Sequence, residues 1–270
     1  MRSALGLYGR LLSIQIRSKL QYRVSFLFNV LGTLLATSVD FCALALVLQR
    51  FEHIGGWTLS QIAFLYGIVG TAFGVMDMTF SGFDPDIFAP QMVQRGGFDR
   101  LMLRPANLTL QVLGSDVAVR HLGKFAQGLV ILCIALAVND IRWTPAKIVY
   151  LPVVIASVVC FFGGLYIAGS TITFWTVQRI EAINILTYGG NEMMSYPMHI
   201  YARGLRYIFT YVIPAIFLNY YPALYFLDKP DPLGMPSFAP FLSPLVGFGT
   251  LALALAFWRF GIRHYTSTGT

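Results

Sequence analysis

The stretch RGGFDRLMLRP, residues 95–105, sets Arg95, Arg100 and Arg104 around Asp99, with two adjacent glycines and a closing proline, all within eleven residues. Asp84 and Asp86 stand upstream on either side of Pro85. These side chains offer charge pairing and docking chemistry; no nucleophile, base or metal-ligand set stands among them. Asp84-Pro85-Asp86 reads as a turn or a helix N-terminus, with acids where the helix dipole favours them. Residues 87–94 can form a short helix, and Gly96-Gly97 permits a sharp reversal. Phe98, Leu101, Met102 and Leu103 follow between Arg100 and Arg104, and Pro105 ends the segment. The result is a compact knob, apolar on part of its surface and ringed by charge, a form suited to docking against a protein. A solvated or lipid-facing loop is the plainer reading.

Two further carboxylates, Asp40 and Asp77, sit inside apolar runs. A carboxylate in hydrocarbon costs several kcal/mol, of order ~3, unless it is protonated, paired or hydrated. Each is therefore expected to face the protein interior. There it either lines a substrate path or satisfies a helix–helix hydrogen bond. Catalytic residues are expected to be absent. There is no G-x-x-x-x-G-K-[ST]; Gly123-Lys124-Phe125 lacks the upstream glycine and the hydroxyl residue of a phosphate-binding loop. No H-E-x-x-H, G-x-S-x-G or acidic cluster suited to Mg²⁺ is present. The cysteines, Cys42, Cys133 and Cys160, lie in apolar runs and pair with nothing by spacing, and His53, His121, His199 and His264 are scattered. No metal and no bound cofactor are expected.

The elements that must position these residues follow from composition. Of 270 residues, 56% are hydrophobic and 11% charged, less than half the charged share of a soluble domain. Mean hydropathy is +0.66. Charges cluster between long apolar runs, so the chain reads as an all-α membrane protein forming one domain, 1–270. A bilayer core needs ~20 apolar residues per helix. Six spans are expected, at 24–48, 61–81, 120–138, 148–177, 207–227 and 241–260, the fifth interrupted by Pro214 and Pro222. With cytoplasmic termini, 15 of the 19 Lys and Arg residues fall inside and 4 outside, which fixes the orientation by the positive-inside rule. The net charge of +7 then belongs to anionic lipid and not to nucleic acid. Residues 180–227 leave two routes open. Residues 188–201 lie along the inner interface in one; in the other they belong to a weakly hydrophobic span, and 207–227 dips in from outside as a proline-broken hairpin.

Ahead of the first span, residues 3–23 place Leu5, Tyr8, Leu12, Ile16 and Leu20 on one helical stripe and Arg10, Ser13, Arg17 and Gln21 on another. That is an amphipathic interfacial helix with a basic face for the cytoplasmic leaflet, acting as an anchor or as a lever. The longest cytoplasmic loop is 82–119, and it contains the opening stretch.

Two motifs then carry a resemblance. QRGGFDRLMLRPAN, residues 94–107, resembles the G-x-x-D-x-x-L-x-R-P segment of the membrane subunits of type 2 ABC exporters, in the viologen-exporter-like branch. YPMHIYARGLRYIFTYVIPAIFLNYYPALYF, residues 196–226, is similar to the second signature of that branch. The resemblance implies a six-helix permease without a nucleotide site, in the bacterial inner membrane. Its partners would be two copies of a separate ATPase, which would hold ATP and Mg²⁺, and a second permease, identical or paralogous. The resemblance assigns the segment's roles to Gly97, Asp99, Leu103, Arg104 and Pro105, although at the written spacing the glycine falls on Gly96 and the leucine position on Met102. The segment from Asp84 and Asp86 to Pro105 would contain a cytoplasmic coupling helix, with Arg100 and Arg104 pairing with acids of the ATPase. Phe98 and Leu101 would fill its apolar cleft. Pro197, Pro214 and Pro222 would belong to a broken segment near the outer gate, which strengthens the hairpin route. A secondary transporter or channel, or a structural permease partner that touches no substrate, are the competing readings.

Overall fold

The computed structural model describes residues 4–51, 53–178 and 181–267, apart from the side chains of Arg120 and of many residues in the first two helices. The described residues are helical nearly throughout, with one isolated antiparallel bridge between Ile54 and Trp57. Helix α1 (Ala4–Gln21) breaks at Tyr22 and is followed by α2 (Arg23–Phe51), α3 (Leu59–Thr79), the short α4 (Pro85–Phe88), α5 (Gly97–Met102) and α6 (Leu108–Leu113). Then come α7 (Leu122–Val138), α8 (Pro145–Thr176), α9 (Glu181–Asn184), α10 (Gly190–Met194), α11 (Arg203–Tyr207), α12 (Tyr220–Phe226) and α13 (Ser243–His264). Among the described residues, four helical stretches are long and apolar enough to cross a membrane, or five if the bent pair Arg203–Val212 and Ala215–Phe226 counts as one span; α7, at 17 residues, is a shorter apolar helix.

Two close helix pairs form the body. In the α3–α7 pair, a methyl group built on Gly67 would lie 2.7 Å from the Leu132 Cα, and one on Gly74 would lie 2.7 Å from the Phe125 Cα. Small residues let backbones approach where lipid offers no hydrophobic drive for association. The second pair, α8–α13, meets where Gly247 abuts the Ser157 backbone.

Polar contacts define the two ends of the molecule. At the basic end, Lys19 Nζ lies 2.7 Å from Asp116 Oδ1, and Gln15 Nε2 donates to the Ser115 carbonyl at 2.6 Å, so α1 is docked on the 82–119 loop. Gln94 Nε2 donates to the Val177 carbonyl there at 3.0 Å. At the opposite end, Ser60 Oγ donates to Asn139 Oδ1 at 3.0 Å and Lys147 pairs with Asp228 at 2.9 Å. Lys229 Nζ donates to the Gly56 carbonyl at 3.0 Å and sits over the Trp57 ring; burial lowers its pKa from the ordinary lysine value.

These markers settle the route of residues 181–227. The segment begins at the basic end, where Asn184 Nδ2 donates to the Asp86 carboxylate at 3.2 Å. It passes through α9, a π-helical turn at Ile185–Gly189, and α10. It arrives at the opposite end, where His199 Nε2 lies 2.8 Å from the Gly55 carbonyl oxygen. The traverse is made by 181–200, a weakly apolar, broken helix. The following pair, Arg203–Val212 and Ala215–Phe226, is bent by 78° and returns to the same end at Asp228. The expectation that 207–227 crosses the molecule is therefore corrected in favour of the hairpin.

The physical reason lies in the prolines. Pro214 lacks an N–H and drives Ile213 to an extended conformation, φ −122° and ψ 92°, which ends the helix. Pro222 falls in the first turn of α12, where a missing N–H breaks no helical bond. Pro197 lies near the end of the traverse, just before its last turn, Met198–Ile200. Asn219, fully buried, pins the hairpin by donating to the carbonyls of Leu65 and Met194 at 3.1 and 2.8 Å.

Candidate coupling interface

The 82–119 loop folds because its local signals agree. Asp84 caps α4 by accepting from the Asp86 N–H at 3.0 Å, with Pro85 in the first helical position. A wider π-helical turn, Ala89–Gln94, follows. Gly96 then adopts φ +62°, a left-handed conformation that lets α5 start in a new direction. Gly97 has no room for a side chain, since a Cβ there would collide with the Gln91 carbonyl oxygen. Ser81 clips the two ends of the loop together: its hydroxyl donates to the Asp116 carbonyl at 2.8 Å and accepts from the Ala118 N–H at 3.1 Å. From α8, Ser170 Oγ donates to the Phe83 carbonyl at 2.5 Å.

Helix α5 is two-faced. Phe98 and Leu101, three residues apart, point inward, with exposures of 0% and 9%. Phe98 packs against Phe88, Phe174, Trp258 and Tyr265, with ring centroids 4.9 to 6.1 Å away. Phe83 and Phe88 join the same group, and Trp258 Nε1 donates to Thr109 Oγ1 at 3.1 Å. Rings from the loop thus interlock with one from α8 and two from α13 and its tail. Each such pair contributes about 1 kcal/mol beyond its buried area. The expectation that Phe98 and Leu101 project into a partner's cleft is corrected: their i, i+3 spacing buries them in the chain's own inner end.

What faces outward is the other stripe. Arg100, Leu103, Arg104 and Pro105 are exposed, Leu103 at 86%. Arg95, Arg100 and Arg104 line an open cleft of about 380 Å³, together with Gln91, Met92, Gly97 and Leu101. No acidic residue lines it. Among the acids of the loop, Asp84 caps α4, Asp86 accepts from Asn184, and Asp99 Oδ2 accepts from Ser267 Oγ at 2.7 Å. The surface that remains is cationic with an apolar tip, complementary to an anionic patch with an apolar recess.

Asp77 lies apart from this surface and is 3% exposed. Its carboxylate accepts from Tyr166 OH at 3.0 Å and lies 3.3 Å from His121 Nδ1, and Tyr166 OH meets Tyr188 OH at 3.1 Å. The network joins α3, the start of α7, α8 and the traverse. The side chain of Asp40, on α2, lies outside the described residues. Sequence reasoning missed Phe174, Trp258 and Tyr265. Only a cluster of large rings near the basic ends of two separate helices hinted at them, and such rings usually signal an interfacial belt.

No curated protein and no solved structure matches the chain. A family model described as ABC-2 family transporter protein matches residues 34–269, which takes in the whole loop, the traverse, the hairpin and the last helix. Several membrane-length helices and a basic, clipped loop between the second and third of them accompany that match, and the chain belongs to the ABC-2 family of transporter membrane proteins.

Proposed function

We propose that this chain is the permease half of an ATP-driven exporter of the viologen-exporter-like branch, embedded in the bacterial inner membrane with both termini in the cytoplasm. It crosses six times, through α2, α3, α7, α8, the 181–200 traverse and α13, with the hairpin entering from outside. Moving Arg203 and Arg206 to the outer side changes the basic count to 13 inside and 6 outside, which still favours this orientation. A second permease, identical or paralogous, completes the path, and two copies of a separate ATPase hold ATP and Mg²⁺. Pro197, Pro214 and Pro222 shape the outer gate, and Asp40 belongs to the path.

The observation that carries this reading is the cationic cleft on a knob keyed into the helix bundle. ATP binding closes the ATPase pair and draws the knob with it. Because Phe98 interlocks with Phe174 and Trp258, the pull reaches α8 and α13 as a rigid-body displacement. Arg100 and Arg104 supply the grip through charge-assisted hydrogen bonds to carboxylates.

The test is affinity purification from membranes in mild detergent. The wild-type chain brings down an ATPase and a permease. R104E inserts normally but recovers the ATPase about ten-fold less well, as expected when a paired charge is reversed. Equal recovery by R104E, or transport that persists on an ion gradient after ATP is depleted, removes the assignment.

A further inference from the structure

We propose that the C-terminal tail, residues 265–267, is a clasp that positions the coupling helix, and that Asp99 is a positioning residue and not a docking charge. The proposal rests on the permease reading above and adds an element to it. Two contacts carry it. Ser267 Oγ donates to Asp99 Oδ2 at 2.7 Å across 168 residues of sequence. The Tyr265 ring packs 4.9 Å from Phe98 and 5.0 Å from Phe174, bridging α5 and α8. Burial first, and the nearby Asp99 carboxylate second, push the Tyr265 pKa up to about 12, while its buried hydroxyl makes no hydrogen bond to a described residue.

The geometry leaves little slack. Tyr265 follows α13 directly, and its N–H still bonds back to the Ile262 carbonyl at 3.4 Å. A displacement of α13 therefore reaches α5 through two residues of chain and one ring. Asp99 and Arg100 are successive on α5 and point about 100° apart. The clasp can hold the first while leaving the second, with Arg104, open to the cleft. The tail thus sets the angle at which the arginines are presented without covering them.

The experiment uses the permease co-purified with its ATPase and measures two quantities, the yield of ATPase recovered and the ATP hydrolysis stimulated by the permease. A chain ending at His264, and the variants Y265A and D99A, keep the ATPase yield and lose stimulation by about 2- to 30-fold, the range for residues along a coupling route. Y265F, which keeps the ring, and D99N, which keeps an acceptor for Ser267, stay near wild type. If Asp99 were a docking charge, D99N would lose ATPase yield as severely as R104E, and that result overturns the proposal. So does unchanged stimulation in the truncated chain. So does loss of ATPase yield on truncation, which would make the tail part of the docking surface. Failure of the wild-type chain to recover any ATPase would instead defeat the permease reading on which the clasp depends.

Discussion

Phe98 and Gly97 occupy adjacent positions and do opposite things. Phe98 fills a space bounded by four rings, so F98A opens a cavity in a tightly packed group. Its expected cost is about 3–5 kcal/mol, read as a fall in Tm of the detergent-purified protein and in ATPase recovery together. R100E, on the opposite stripe of α5, leaves Tm unchanged and lowers recovery alone; an equal loss of Tm in both variants refutes the two-faced assignment. At Gly97 a methyl group would strike the Gln91 carbonyl oxygen, a backbone atom that cannot rotate away. G97A is therefore more disruptive than a surface Gly→Ala change, while G56A, on an open turn at the far end with nothing within 4 Å, meets only its positive φ. The residues of the knob were legible from their spacing. Their direction was not, because six residues of helix contain too little periodicity to say which stripe meets the bundle when the bundle's own contribution comes from residues 174, 258 and 265.

The same limit governs the elements. The apolar runs of α2, α3, α8 and α13 announce themselves, and their observed bounds lie within a few residues of the expected ones. The traverse at 181–200 does not, since Glu181, Asn184, Asn191, Glu192, Ser195 and His199 dilute its hydropathy below that of the hairpin that follows. Composition thus ranked the two segments in the wrong order. The tertiary contacts of Asn184 at one end and His199 at the other decide the matter, and neither is visible in a local window. The prolines did contain the answer, because a helix interrupted at 214 has to bend. Single-cysteine labelling checks the route. In a chain freed of Cys42, Cys133 and Cys160, R203C and S237C react with a membrane-impermeant reagent added outside, and Q178C reacts only after the membrane is opened. Protection of R203C from the outer reagent would restore the discarded route.

At the scale of the whole molecule, one face stays open in a way that lipid does not tolerate. Along the traverse, Glu181, Ile185, Tyr188 and Glu192 form one exposed helical stripe. Glu192 lies about halfway between the contact at Asp86 and the contact at Gly55, and its carboxylate accepts from Asn191 Nδ2 at 3.1 Å. An ionised side chain at that depth costs about 3 kcal/mol or more against hydrocarbon, whereas a water-filled path or a second subunit relieves the cost. Elsewhere, on α8 and α13, the exposed residues Ile148, Val149, Leu245 and Leu253 are apolar and suit lipid. In the proposed reading, this exposed acid is the ground for placing the traverse on the side of the other permease and the path. In the assembled complex, E192C should react with a small hydrophilic thiol reagent at least ten-fold faster than V149C, on an exposed apolar stretch of α8, since thiol attack requires the hydrated thiolate. The reaction should slow when the partner subunits are trapped in the ATP-bound state and the inner mouth is narrowed. Equal, slow rates at both positions would put Glu192 against lipid and deny this face to the path.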